Sequence, residues 1–201
     1  MPIADICAGV PALLSWFAEN GRPLPWRPDA TPYHVWISEV MLQQTRIEAV
    51  IPHYEAFIRL MPNLTALAEM PEERLLKCWE GLGYYSRARN LQKAAKAVVA
   101  SGESELPQTY AELIRLPGIG EYTAGAIASI AFGECVPAVD GNVLRVLSRL
   151  LNDDTDVLSP AGKKHFTAVA RALVPQTAAG QFNQAIMELG ETVCLPHAVP
   201  R

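Results

Sequence analysis

Two carboxylates stand in surroundings that suit acid-assisted chemistry. Glu39 lies in Val35-Trp36-Ile37-Ser38-Glu39-Val40-Met41-Leu42-Gln43-Gln44-Thr45, among Trp36, Ile37, Val40 and Leu42. A helix over this stretch carries the carboxyl close to apolar side chains, and desolvation then raises its pKa far enough for proton donation near neutral pH. Taken alone, a glutamate on a helix is more often a solvated residue. Asp140 follows Val136-Pro137-Ala138-Val139 and precedes Gly141-Asn142-Val143, at the start of an amphipathic run. By type and place it is an N-cap, a role compatible with chemistry. Two carboxyls of unequal pKa suit acid-assisted cleavage of a glycosidic bond.

A third motif, Leu116-Pro117-Gly118-Ile119-Gly120, separates a helical segment ending at Arg115 from another starting near Glu121. Two glycines two residues apart let the backbone turn tightly. They leave amide N–H groups uncovered at a helix N-terminus, a seat for a phosphate oxygen. A lone Gly-x-Gly also serves as a plain turn. Here the small residues Thr123-Ala124-Gly125-Ala126 follow, which permits close packing of the second helix.

The elements that must hold these residues are helices. Apolar residues recur at helical spacing almost throughout, and no stretch alternates with period two between hairpin turns. The spacing predicts an all-α chain with helices near 4–19, 32–48, 51–61, 64–69, 72–80, 85–101, 108–115, 121–132, 141–151, 161–173 and 180–193. Prolines 32, 71 and 160 fall at first turns, and Gly81, Gly83, Gly102 and Gly133 fall where helices stop. Breaks at Gly21–Asp29 and Asn152–Pro160 suggest two lobes. One is a six-helix barrel-type lobe over 28–135 containing the hairpin (about 108–131). The other joins 1–27 to 136–201.

Composition narrows the setting. Half of the 201 residues are hydrophobic, enough for one sizeable core or two small ones. No apolar run approaches the length of a membrane span and the N-terminus has no secretory pattern, so a soluble, cytoplasmic protein is expected. The net charge of −4 argues against a protein that coats nucleic acid through bulk electrostatics. Local charge differs: Lys77, Arg87, Arg89, Lys93 and Lys96 face one acid, Glu80, and Arg89, Lys93 and Lys96 share a helix face. A solvated face is the plain alternative. Four cysteines, Cys7, Cys78, Cys135 and Cys194, lie far apart without Cys-x-x-Cys pairing, as reduced thiols do.

The hairpin, the loop Gly133–Pro137 and Asp140 together resemble the helix-hairpin-helix superfamily of DNA glycosylases and lyases. The stretch from Ser38 to Thr45, SEVMLQQT, is similar to the adenine glycosylases of the MutY type within it. The resemblance runs from about residue 12 to 194. It implies an all-α, two-lobed fold with the active site between the lobes. It also implies a monomer acting at the bacterial nucleoid on double-stranded DNA that carries A:G or A:8-oxoguanine mispairs. In that family an acid at Glu39 protonates the departing adenine, and the aspartate at Asp140 stabilises the sugar cation, with Tyr122 and Asn142 as helpers.

Further stretches agree. Gly81-Leu82-Gly83-Tyr84-Tyr85-Ser86-Arg87 resembles the family's minor-groove loop, which implies DNA contacts from Leu82, Gly83, Tyr84 and Arg87, with Tyr84 as the wedge. Gln44 and Thr45 belong beside the opposite base. Backbone at Gly118, Ile119 and Gly120 holds a phosphate. Arg22 and Leu24-Pro25-Trp26-Arg27 resemble the adenine-pocket loop, with Trp26 stacking on the base, Leu42 lining the pocket, and Gln184, in Phe182-Asn183-Gln184-Ala185, reading the purine edge.

Two departures qualify the likeness. Strand-cleaving relatives of the endonuclease III type place a Schiff-base lysine where this chain has Tyr122, which implies a monofunctional enzyme. The family's [4Fe-4S] cluster takes four cysteines, of which only Cys194 matches, so the cluster is not expected to assemble on this chain and the tail after Gly190 is expected to have little to order it. The rival readings are a pyrimidine-lesion glycosylase with lyase activity and a noncatalytic DNA-binding module.

Overall fold

The computed structural model describes residues 3–196, and those residues form helices and loops without a strand. In chain order the helices are α1 (Ile3–Asn20), α2 (Pro32–Leu42), α3 (Ile47–Leu60), α4 (Leu64–Glu69), α5 (Glu72–Cys78), α6 (Ser86–Ala100), α7 (Tyr110–Leu113), α8 (Glu121–Phe132), α9 (Gly141–Leu151), α10 (Pro160–Leu173) and α11 (Ala179–Thr192). Caps set many of the starts. Thr31, Asn63, Asp140 and Ser159 each accept a hydrogen bond from the backbone N–H three residues on, and Pro32 and Pro160 begin their helices where an N–H is not needed.

One expected helix is cut short. The run predicted over 32–48 stops at Leu42, and the next helix begins at Ile47, not near 51. Between them Gln44 takes a left-handed backbone, φ 58°, which no helix interior accommodates. The helix expected over 108–115 reduces to the single turn Tyr110–Leu113.

The chain divides into two compact units, Pro23–Phe132 and Met1–Arg22 with Gly133–Arg201. The inner unit takes in seven helices, α2 to α8, where six were expected, and Pro23–Arg27 cluster with it. Within it α2 packs on α8 and α3, and α6 packs on α4. Trp36, Phe57 and Trp79 are fully buried, and Phe57 meets Trp79 edge-on at 6.1 Å between ring centroids. Losing an aromatic such as Phe57 to alanine costs about 3–5 kcal/mol. The terminal unit packs α9 against α11 and α10, and α1 against α11, around Val143, Leu147, Phe166, Leu173, Phe182 and Ile186. Among the described residues no helix is long and apolar enough to cross a membrane.

Candidate active site

Glu39 sits in the third turn of α2, flanked by Trp36, Ile37 and Val40, all buried. Its own exposure is 7%, so the carboxyl is withdrawn from water as its neighbours in sequence foretell. The Tyr122 hydroxyl, from the first turn of α8, donates to Glu39 Oε2. The close approach of α2 and α8 makes this possible. Residues Thr123 to Ser129 of α8 are buried and small or β-branched, and Gln43 Nε2 donates to Thr123 Oγ1 at 3.3 Å one residue beyond. The predicted acid and its predicted helper Tyr122 are thus joined across 83 positions of sequence.

Asp140 is organised locally, in the terminal unit. Oδ1 accepts from the Val143 N–H at 2.8 Å as the cap of α9, and Oδ2 accepts from Asn142 Nδ2 at 2.7 Å. Burial pushes its pKa above the ordinary value, against the lowering effect of the Val143 and Asn142 hydrogen bonds. Asn142 in turn accepts from Arg145 Nη2 at 2.7 Å. The loop leading into Asp140 is held by Asn183 of α11, whose Nδ2 donates to Val136 O at 2.9 Å and whose Oδ1 accepts from Ala138 N at 3.1 Å. Neither Arg145 nor Asn183 was singled out from sequence. A buried asparagine inside an apolar helix is the signal that could have found the second.

The hairpin is formed as expected, with one difference. Gly118 has φ 76°, and a β-carbon there would lie 2.6 Å from Asn90 Cβ, so only glycine fits both the turn and the packing. Gly118 and Gly120 are exposed, but Ile119 is buried and its N–H donates to Leu116 O at 3.2 Å. That amide closes the turn and is not turned outward for a phosphate. The open donors at this point are those that any helix leaves in its first turn, here at the start of α8.

The two loops 43–45 and 81–84 carry the remaining predicted contacts of the inner unit. Gln44 is exposed and Tyr84 is 63% exposed with φ 45°, a conformation bulky residues seldom adopt. Leu82 is buried, whereas Leu42, Thr45 and Gly83 are partly so. Arg87 corrects the sequence reading. Expected to face DNA, it is 8% exposed and donates to oxygens of both loops, while Arg89, Lys93 and Lys96 lie exposed and Arg89 pairs with Glu72 at 2.8 Å.

Of the expected pocket residues, Trp26 is buried at 7% exposure and packs edge-on against Tyr54 at 5.3 Å, so it is a packed aromatic and not an open stacking platform. Arg27 is partly buried. In the terminal unit Arg22 makes a two-pronged ion pair with Glu188, Nε to Oε1 at 2.6 Å and Nη2 to Oε2 at 3.0 Å, and also reaches Glu191. These carboxylates raise the arginine pKa further. Glu188 is 2% exposed and was missed in the sequence, although it stands one helical turn after Gln184, which is partly exposed and donates weakly to Gly180 O at 3.4 Å.

Cys194 is buried, and its Sγ accepts from Arg149 Nη1 at 3.2 Å. The segment around it is better held than expected. Arg145 donates to Gly190 O and Cys194 O, and Arg149 to Leu195 O and Pro196 O. The other thiols are dispersed, and among the described residues no group of three or more His, Cys, Asp or Glu side chains could hold a metal. A four-thiolate cluster does not fit the donor set described, which offers Cys194 alone.

Comparison with known proteins places this geometry in a family. The chain is 46% identical over 203 residues to adenine DNA glycosylase of Mus musculus, covering 96% of this chain and 39% of that protein. It is 41% identical over 184 residues to adenine DNA glycosylase of Buchnera aphidicola subsp. Baizongia pistaciae, covering 91% and 52%. The chain therefore spans between 39% and 52% of the length of these curated relatives. Its fold is similar to the solved structure of a thermostable thymine-DNA glycosylase, with a TM-score of 0.87 and 26% identity over 96% of this chain and 88% of that one. Residues 37–175, from α2 through α10 and so including Glu39, the hairpin and Asp140, match the family model for base excision DNA repair proteins, and the chain belongs to the HhH-GPD superfamily.

Proposed function

We propose that the chain is a monofunctional adenine DNA glycosylase that binds duplex DNA, extrudes adenine from a mispair with guanine or 8-oxoguanine, and hydrolyses its N-glycosidic bond. The observation that carries this reading is the withdrawn carboxyl of Glu39 with the Tyr122 hydroxyl upon it. Adenine leaves poorly until a ring nitrogen is protonated. Glu39 supplies that proton, the bond from C1′ to the base nitrogen breaks, and its electron pair stays with the purine. The sugar becomes an oxocarbenium ion, which the Asp140 carboxylate stabilises or briefly captures. Water then adds to C1′, and its proton restores the acid.

Tyr122 bears on the outcome as well as on the acid. A lysine there would offer an amine for a Schiff base with the sugar and so for strand cleavage. A phenol hydrogen-bonded to Glu39 offers none, which supports hydrolysis without a lyase step.

The test is single-turnover release of adenine from an A:8-oxoguanine duplex by wild type and by Glu39→Gln. The amide keeps the shape of the carboxyl and cannot donate the proton, so the rate constant falls by roughly 10²–10⁴ while mispair binding persists. Loss of less than about tenfold would overturn the assignment. The 201-residue chain is also expected to purify without iron–sulfur absorbance near ~400 nm. About four irons per chain, the content of a [4Fe-4S] centre, would refute that.

A further inference from the structure

Arg87 was counted from sequence among the basic residues facing DNA, and the structure gives it a different task. Its Nη1 donates to Val40 O at 2.9 Å, Met41 O at 2.9 Å and Gln43 O at 2.6 Å. Its Nη2 donates to Thr45 Oγ1 at 3.1 Å, Leu82 O at 2.8 Å and Gly83 O at 3.2 Å. One guanidinium therefore caps the last turn of α2 and ties the two loops 43–45 and 81–84 to a single planar group. Lysine cannot copy this, because an ammonium presents its donors from one point on a flexible stem and the fork presents them from two nitrogens in a fixed plane.

What the two loops share makes the tie informative. Among the described residues only three non-glycine positions have positive φ, and two of them adjoin Arg87's acceptors: Gln44 lies between Gln43 O and Thr45 Oγ1, and Tyr84 directly follows Leu82 O and Gly83 O. Such backbone persists where surrounding structure over-determines it. The guanidinium also lies over the rings of Trp79 and Tyr84, at 5.3 and 5.8 Å from their centroids, so it touches the exposed tyrosine itself. Burial pushes the Arg87 pKa below the ordinary guanidinium value, and a guanidinium remains charged even so.

We propose that Arg87 is a positioning residue that locks Gln44 and Tyr84 in left-handed conformations, so that both loops are formed before DNA arrives and act as one unit. The inference rests on the proposed function only in taking these loops to be the ones that enter the duplex. Its structural half concerns the free protein.

The experiment compares wild type with Arg87→Lys in two measurements on the full 201-residue chain. The first is hydrogen exchange of the free protein. In the variant, amides of 43–46 and 81–85 exchange faster together by roughly tenfold or more, the effect of losing two hydrogen bonds in each loop, while α9 and α10 are unchanged. Unchanged protection in either loop would overturn the proposal, as would uniform acceleration over the whole chain, the mark of a merely structural residue. The second is stopped-flow fluorescence of 2-aminopurine placed beside the mispaired adenine in a duplex. Arg87→Lys slows the rise by roughly tenfold to a hundredfold, as misplaced groups do, and an equal rate would overturn preformation as useful to extrusion. A wild type that gives no rise at all would instead count against the proposed function and leave the exchange result to judge Arg87. Should Arg87→Lys fail to fold, Thr45→Val replaces it. Removing this hydroxyl takes away an acceptor of Arg87 and a long direct bond to Leu82 O at 3.4 Å, so exchange is expected to quicken in the second loop too, and acceleration confined to 43–46 would overturn the shared tie.

Discussion

The two carboxylates at the centre of the proposed chemistry are held in opposite ways. Glu39 projects from the middle of a buried helix and is fixed by Tyr122, far away in sequence, so its setting exists only once α2 and α8 have packed. Asp140 is fixed by residues two and three positions on and is itself part of the backbone's scaffolding, as the cap of α9. Glu39 caps no helix, and the Gln substitution keeps its shape, so that change falls chiefly on chemistry. The aspartate serves fold and reaction at once, and substitutions there mix the two effects.

The largest expected effect tests the first half of that contrast. Glu39→Gln should remove adenine release, as set out above, with little movement of the thermal midpoint. A marked loss of stability would show that Glu39 carries fold as well as chemistry and would erase the distinction. Next come Asp140→Asn and Asp140→Ala. Both should lower single-turnover release by roughly 10²-fold, the cost of losing a preorganised charge. They separate in stability, because asparagine still caps α9 and alanine does not. Alanine should melt below asparagine by an amount equivalent to about 1 kcal/mol, or roughly 2–4 °C for a chain of this size. Equal midpoints would mean that the cap is dispensable.

Tyr122→Phe is expected to act more gently. It removes the phenol's hydrogen bond to Glu39 without opening a cavity, and release should slow about tenfold, the value of one charge-assisted hydrogen bond. An unchanged rate would show that packing alone orients the acid. The smallest effect is in pH. Because the folded-state pKa of Asp140 is raised, the folded chain holds that proton more tightly than the unfolded one, and this contribution to stability is lost as pH rises from the ordinary carboxylate range through the folded pKa. Asp140→Asn does not titrate. Its midpoint relative to wild type should therefore climb with pH above about 4 and level off once Asp140 is ionised. A difference that shrinks with rising pH would reverse the sign argued for burial.

Much of this was legible in the residues. The apolar company of Glu39, the placement of Asp140 before an amphipathic helix, and the Leu-Pro-Gly-Ile-Gly turn are local facts, and each lies where its neighbours imply. The failures share a cause in tertiary contact. Periodicity runs unbroken from Pro32 to Glu48, so nothing nearby shows that α2 stops at Leu42. The stop coincides with a guanidinium some forty residues later. Arg87 was misread for the same reason, since a count of basic residues cannot tell a buried fork from an exposed charge. Trp26 was expected to stack because its loop resembles the adenine-pocket loop, but a tryptophan beside a tyrosine is equally good core material. Glu188 is an acid in an apolar helix whose partner, Arg22, lies 166 positions away, beyond the reach of any local pattern.

The clasp of Asn183 on the Val136 and Ala138 backbone also constrains how the chain can change in length. A side-chain amide here supplies the paired donor and acceptor that a neighbouring strand would otherwise provide, and it does so at one fixed point. From that point Asp140 is reached by counting two residues, Val139 and then the aspartate itself. An inserted or deleted residue between the clasp and the cap has nowhere to be absorbed, because α9 begins at once and its first turn is anchored to the same carboxylate. Length polymorphism should therefore be excluded here, and a library of single-residue insertions scored for folding would display the stretch 138–140 as a gap.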